Sequence, residues 1–322
     1  MSTSTSVSNP TTFRVSTKGQ NVKLVKRKLD PPSGFTDVVG VVLSKLVKMY
    51  LWIDLKKRFV VYLTAIFLVS LVVEYAVDTK GSSFYFAQKG NVLNVVFAKW
   101  AWLWTLVVVG PFVVTTSFVY SCTAWSGVVR QTSRLAVGTL VWWGVTRLFS
   151  CVLKSTSACV KGRSLVAAGP TTAGGCAAVG GSWRAGFDIS GHCFLLLYCC
   201  AVIGEESRVF HNWSRLKEIF ERSAQGVHDS SVGRCSQQLA VRSKKAYDAL
   251  TPWIRLSFIS LALLHLIFEL TVAFTVVFFH TWPQKLLGSL MAALCWLLTY
   301  KVVFAFVEWP GLPGKAASIK LD

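Results

Sequence analysis

Acidic residues are scarce: 15 Asp and Glu stand against 34 Lys and Arg in 322 residues, a formal charge of +19. Charged side chains of either sign make up only 15% of the chain, against ~25% in an average soluble domain. That poverty of charge excludes a disordered chain and argues against an ordinary soluble domain. None of the nine cysteines forms a Cys-x-x-Cys pair, so zinc-ribbon and thioredoxin-type motifs are excluded. No apolar run follows the initiator region, so no secretory signal peptide is expected.

What fills the chain instead is apolar: 53% hydrophobic and 13% aromatic residues, with a mean hydropathy of +0.50. A bilayer core of ~30 Å needs about 20 apolar helical residues to cross it. Six stretches meet or approach that length, at about 59–77, 97–120, 135–153, 187–204, 253–279 and 285–307. The expectation is an all-α polytopic membrane protein with six transmembrane helices plus amphipathic interfacial helices. The fourth stretch is short, the fifth is long enough to tilt or extend beyond the lipid, and Pro111 interrupts the second.

Residues 1–58 read as a disordered, basic cytosolic tail ending in an interfacial helix near 38–53, residues 59–307 as the six-helix membrane domain, and 308–322 as a second tail. Six crossings put both termini on one side. That side collects 23 Lys and Arg, including eight in the 205–252 loop, and the other side seven. The termini are therefore expected in the cytosol. Within the cytosolic loop 205–252, Val209, Phe210, Trp213, Leu216 and Phe220 recur at helical spacing, a face for the membrane surface or for the bundle. The opposite loop, 154–186, is too Gly-rich for a span and holds Cys159 and Cys176, which an oxidising compartment would allow to pair.

Topology sorts the five histidines. His211 and His228 fall in the cytosolic loop, and His265 lies inside the fifth span with Glu269 one turn on, a pair read as structural. His192 opens the fourth span and His280 closes the fifth, so both reach the same membrane boundary. An imidazole, neutral near pH 7 and easily protonated, serves as nucleophile, acid or base. Around the first, Asp188-Ile189-Ser190-Gly191-His192 enters a helix start, where Asp188 or Ser190 caps and free backbone N–H groups attract an anion. Gly191 gives a phosphate clearance, and the Ser190 hydroxyl is a donor.

The run Phe187-Asp188-Ile189-Ser190-Gly191-His192-Cys193-Phe194-Leu195-Leu196 resembles the signature of the fat storage-inducing transmembrane (FIT) proteins, six-span proteins of the endoplasmic reticulum related to the lipid phosphate phosphatases. Phe279-His280-Thr281-Trp282-Pro283-Gln284-Lys285-Leu286-Leu287-Gly288 is similar to that family's second histidine motif. The resemblance implies a lumenal hydrolase cleaving fatty acyl-CoA to acyl 4′-phosphopantetheine and adenosine 3′,5′-bisphosphate, supporting lipid droplet formation and binding triacylglycerol and diacylglycerol. It implies His280 as nucleophile and His192 as acid, with Ser190 and Gly191 on phosphoryl oxygens and Asp188 in support. No cofactor or metal is assigned, the remaining partner is membrane lipid, no nucleic acid is expected, and protein partners are left open.

The sequence departs from the phosphatase pattern in its charges. The basic Lys-x6-Arg-Pro motif is absent, and Gln284 stands where an aspartate would orient the nucleophile. Arg184 and Lys285 are the nearest expected lumenal cations, and Arg184 is assigned to phosphate. Two alternatives remain: a lipid phosphate phosphatase, and a non-catalytic carrier of neutral lipid, in which Trp100, Trp102, Trp104 and Phe194-Leu195-Leu196 line a groove rather than pack the bundle.

Overall fold

The computed structural model describes residues 35–76, 84–162, 164–165, 171–224, 237–307 and 309–313. Most of the expected basic tail, and of the C-terminal tail, lies outside them. Two compact units divide the chain, Met1–Val42 and Leu43–Asp322. Of the first, the described part is the opening of helix α1 (Phe35–Leu51).

The second unit is a helical bundle with five helices long and apolar enough to cross a membrane: α2 (Leu55–Ala76), α3 (Ala101–Tyr120), α4 (Trp125–Thr156), α8 (Gln237–Phe278), and α9 (Trp282–Trp296) extended by a π-helical turn (Leu297–Val303) into α10 (Phe304–Phe306). The all-α polytopic membrane class holds. Asp54 starts α2, its Oδ1 accepting from the N–H of Lys56 (2.8 Å) and Lys57 (3.3 Å). Those two bonds hold its carboxyl below the usual carboxylate range. Helix α3 runs through Pro111 unbroken.

The fourth expected span, the one not among these five, is α6 (Gly191–Ser207), of only 17 residues, which follows the short α5 (Ala173–Ala178). Every residue from Cys193 to Ser207 is buried, and α3, α8 and α9 pack around it. A helix apolar on all sides belongs at the centre of a bundle, and a central helix does not need to match the lipid thickness. Phe194, Leu195 and Leu196 are thus core residues, and Trp102 is buried between Trp142 and Tyr198. Trp100 is exposed.

Two glutamates end α6, against the polarity of its dipole. Arg134 holds Glu206 in a bidentate pair (Nε–Oε1 2.8 Å, Nη2–Oε2 2.6 Å), with the Tyr300 hydroxyl donating at 2.9 Å. Lys301 and the Trp296 indole hold Glu205 (2.6 and 3.0 Å). Deeper in the bundle, His265 and Glu269 do form a structural group. Arg58 Nη1 donates to His265 Nε2 (2.7 Å), so Nδ1 carries the proton toward the Tyr50 hydroxyl (2.7 Å), while Tyr50 and Tyr62 both donate to Glu269.

The stretch expected as a loop, 205–252, is largely helical. Helix α7 (Trp213–Ala224) buries Trp213, Leu216 and Phe220, and Trp213 stacks on Tyr247 of α8 with its indole on Thr251 (3.1 Å). Its apolar face meets the bundle. Helix α8 begins at Gln237, and its 42 residues reach about 63 Å, twice the thickness of a bilayer core. The Gly-rich loop 154–186 folds as a small cap of strands β1 (Ala158–Lys161), β2 (Ser164–Leu165) and β3 (Ser182–Arg184), antiparallel in the order β2-β1-β3. Cys159 and Cys176 are joined there as a disulfide.

Candidate active site

At one end of the bundle α2, α4 and α8 finish while α3, α6 and α9 begin. The chain enters α6 pinned to the last turn of α4: the N–H of Gly186 donates to Ser157 Oγ (2.9 Å) and that of Phe187 to Thr156 Oγ1 (2.7 Å). Ser190, rather than Asp188, is the cap. It is fully buried, its Oγ accepts from Cys193 N–H (3.3 Å), and its carbonyl accepts from Phe194 N–H (3.2 Å). Among the described residues the N–H groups of Gly191 and His192 have no partner. No atom lies within 4 Å of where a Gly191 side chain would begin. Two open donors at the positive end of a helix, with clearance beside them, suit an oxyanion.

Helix α8 ends at Phe278, and two residues on His280 has a left-handed φ of +59°. A non-glycine residue there carries strain of about 1–2 kcal/mol, which a histidine retained for its ring would explain. Glu74, at the end of α2, accepts the N–H of Trp282 (2.9 Å) and closes the start of α9. Pro283 has no N–H to offer, and Gln284 Oε1 accepts from Thr281 N–H (3.0 Å). Gln284 therefore serves its own helix start and leaves the histidine to another partner.

That partner is Asp188, whose Oδ2 lies 3.8 Å from His280 Nδ1. His280 keeps a fifth of its side-chain surface exposed and Asp188 more than half, so the pair faces outward. His192 is the second residue of α6, four residues on from Asp188. The two helix starts are tied directly. Ser190 N–H donates to the Gln284 carbonyl (3.0 Å), and Gly288 admits the contact, since a side chain there would begin 2.4 Å from the Ser190 carbonyl oxygen.

The cations fall out differently from the sequence expectation. Lys285 is buried with Nζ donating to the Val276 carbonyl (2.7 Å), where it neutralises the end of α8. Arg184 is exposed on β3, paired across the strand with Ala158. Glu74, in the last turn of α2, was not legible as a neighbour of the second histidine motif, because a charge near the end of an apolar run resembles an ordinary flanking residue. Among the described residues no three His, Cys, Asp or Glu side chains converge as a metal site requires.

Comparison with known proteins gives the chain's family. The family model described as fat storage-inducing transmembrane protein matches residues 82–300, which include both histidine motifs and the two helix starts. The acyl-coenzyme A diphosphatase FITM2 of Caenorhabditis elegans is 30% identical over 293 residues, covering 91% of this chain and 94% of that protein. Those of Homo sapiens and Sus scrofa are 33% and 34% identical over 240 residues, covering 74% of this chain and 79% of each. No solved structure matches the chain. Two histidine motifs bonded to each other at one rim of a polytopic helical bundle, matched across two thirds of the sequence, mean that the chain belongs to the fat storage-inducing transmembrane protein family.

Proposed function

We propose that this protein is a membrane acyl-coenzyme A diphosphatase, hydrolysing fatty acyl-CoA to acyl 4′-phosphopantetheine and adenosine 3′,5′-bisphosphate. One observation carries the reading: His280 faces Asp188, four residues before His192, where the α6 helix start offers two N–H groups without a partner among the described residues. The printed names of the relatives supply the substrate.

The acyl chain lies in the lipid and the nucleotide projects into water. His280 attacks the phosphorus nearer the pantetheine, forming an N–P bond as the bridging P–O bond breaks. His192 gives its proton to the departing oxygen of adenosine 3′,5′-bisphosphate. Water then attacks the phosphohistidine, His192 takes a proton back, and acyl 4′-phosphopantetheine leaves. Asp188 steadies the positive charge that grows on His280. The Gly191 and His192 N–H groups hold non-bridging oxygens, Ser190 sets the helix start that aims them, and Arg184 is assigned to the outer phosphates.

The membrane is that of the endoplasmic reticulum, with both termini cytosolic and the histidine end lumenal. The basic excess on the terminal side supports this orientation, and so does the Cys159–Cys176 disulfide in the opposite cap. Support of lipid droplet formation, with binding of triacylglycerol and diacylglycerol, belongs to the same reading.

The test is release of adenosine 3′,5′-bisphosphate from long-chain acyl-CoA by protein purified in detergent. His192→Ala and His280→Ala each abolish it. Wild-type turnover in both variants would end the catalytic reading.

A further inference from the structure

A diphosphate brings several negative charges to a site whose reacting groups are two imidazoles and a carboxylate. Stabilising the charge that moves onto the leaving phosphate calls for a fixed cation. Lys285 is spent on the Val276 carbonyl and Glu74 on the Trp282 N–H.

Lys99 is differently placed. It follows a π-helical turn, Leu93–Ala98, that packs against both α6 and α8, the two helices that carry the histidines. Such turns are rare and concentrate at functional positions. This one is firmly anchored. Before it, the Phe86 ring stacks on Phe274 of α8 at 4.3 Å, and the Asn94 amide donates to the Lys89 carbonyl at 2.6 Å. Within it, the Val96 carbonyl accepts from the Trp104 indole at 3.0 Å, and Lys99 N–H closes the turn on the Asn94 carbonyl at 3.1 Å. The backbone of Lys99 is held, while its side chain is exposed and forms no ion pair among the described residues. It leads into α3 at the end of the bundle where α6 begins with Gly191 and His192.

We propose that Lys99 binds the substrate's diphosphate beside His192 and balances the charge developing on the departing phosphate. The inference rests on the diphosphatase reading and adds to it the cation that the two histidine motifs lack.

Palmitoyl-CoA hydrolysis by wild type, Lys99→Ala, Lys99→Arg and Lys89→Ala tests it, with inhibition by added adenosine 3′,5′-bisphosphate as a second readout. Lys89→Ala removes an exposed charge from the same segment and keeps wild-type kinetics. Lys99→Ala loses about tenfold or more in kcat/KM and is inhibited more weakly by the product, and Lys99→Arg recovers most of both. Wild-type kinetics and wild-type product inhibition in Lys99→Ala overturn the proposal while leaving the diphosphatase reading intact. Equal losses in Lys89→Ala overturn it too, by reducing the effect to general surface charge. Absence of any hydrolysis by wild type is a separate result, and it sinks the reading beneath.

Discussion

The backbone N–H of Ser190 donates to the carbonyl of Gln284 at 3.0 Å, joining the start of α6 to the start of α9. Through this bond the position of His192, two residues beyond Ser190, depends on the turn that presents His280. The relative placement of the two histidines is thus set by backbone geometry.

Gly288 is where that arrangement is most easily broken. In Gly288→Ala the new carbon would begin 2.4 Å from the Ser190 carbonyl oxygen, so the two helices must part. Overpacking of this kind costs about 1–3 kcal/mol, against about 1 kcal/mol regained in helix propensity. The expected outcome is a folded protein with turnover reduced roughly 100-fold, because small displacements of reacting groups are costly. Size-exclusion profile and product release measure the two sides. Wild-type turnover would show that the close crossing does not matter.

Strain at His280 gives a second expectation. His280→Gly and His280→Ala both lose activity, but only glycine adopts a φ of +59° without penalty. The glycine variant should be the more stable by about 1 kcal/mol in thermal or denaturant unfolding. If the alanine variant proves the more stable, the left-handed turn is not strained in solution.

Orientation can be read by glycosylation. Gly162 sits in the β1–β2 turn at φ +65°, a conformation asparagine tolerates, and it precedes Arg163 and Ser164. Gly162→Asn therefore creates an acceptor sequence in the cap without straining the turn. Expressed in cells, this variant should gain an endoglycosidase-sensitive mass shift, whereas the native Asn212-Trp213-Ser214 should stay unmodified. The reverse pattern would invert the topology and put the site in the cytosol.

The buried pair at the other end of α6 bears on stability alone. Glu206→Ala strands the Arg134 guanidinium, whose side chain is 1% exposed, and should cost about 3–5 kcal/mol. Replacing both residues by methionine should recover much of that loss. Equal destabilisation by the single and double changes would argue against an uncompensated charge as the cause.

Much of this was legible in one dimension. Long apolar runs in α2, α3, α4, α8 and α9 are forced by the lack of water in a bilayer, and composition alone reports them. The capped start of α6 and the two histidines at one boundary follow from local motifs plus the count of crossings. The apolar face of α7 was legible at helical spacing, and packing decided that it meets α8 rather than the membrane surface. Gln284 looked like a missing aspartate. Folded, it bonds the N–H of Thr281, and the carboxylate facing His280 comes from Asp188, 92 positions earlier.

The amino-acid sequence by itself determined that this chain is a helical membrane protein with paired histidines at one rim. Solvent preference and helix capping act over a few residues at a time and are written locally. Only the tertiary structure decided that α6 is enclosed, that Asp188 faces His280 and that Glu74 closes the start of α9. Those relations hold between residues far apart in sequence, and packing in three dimensions is what sets them.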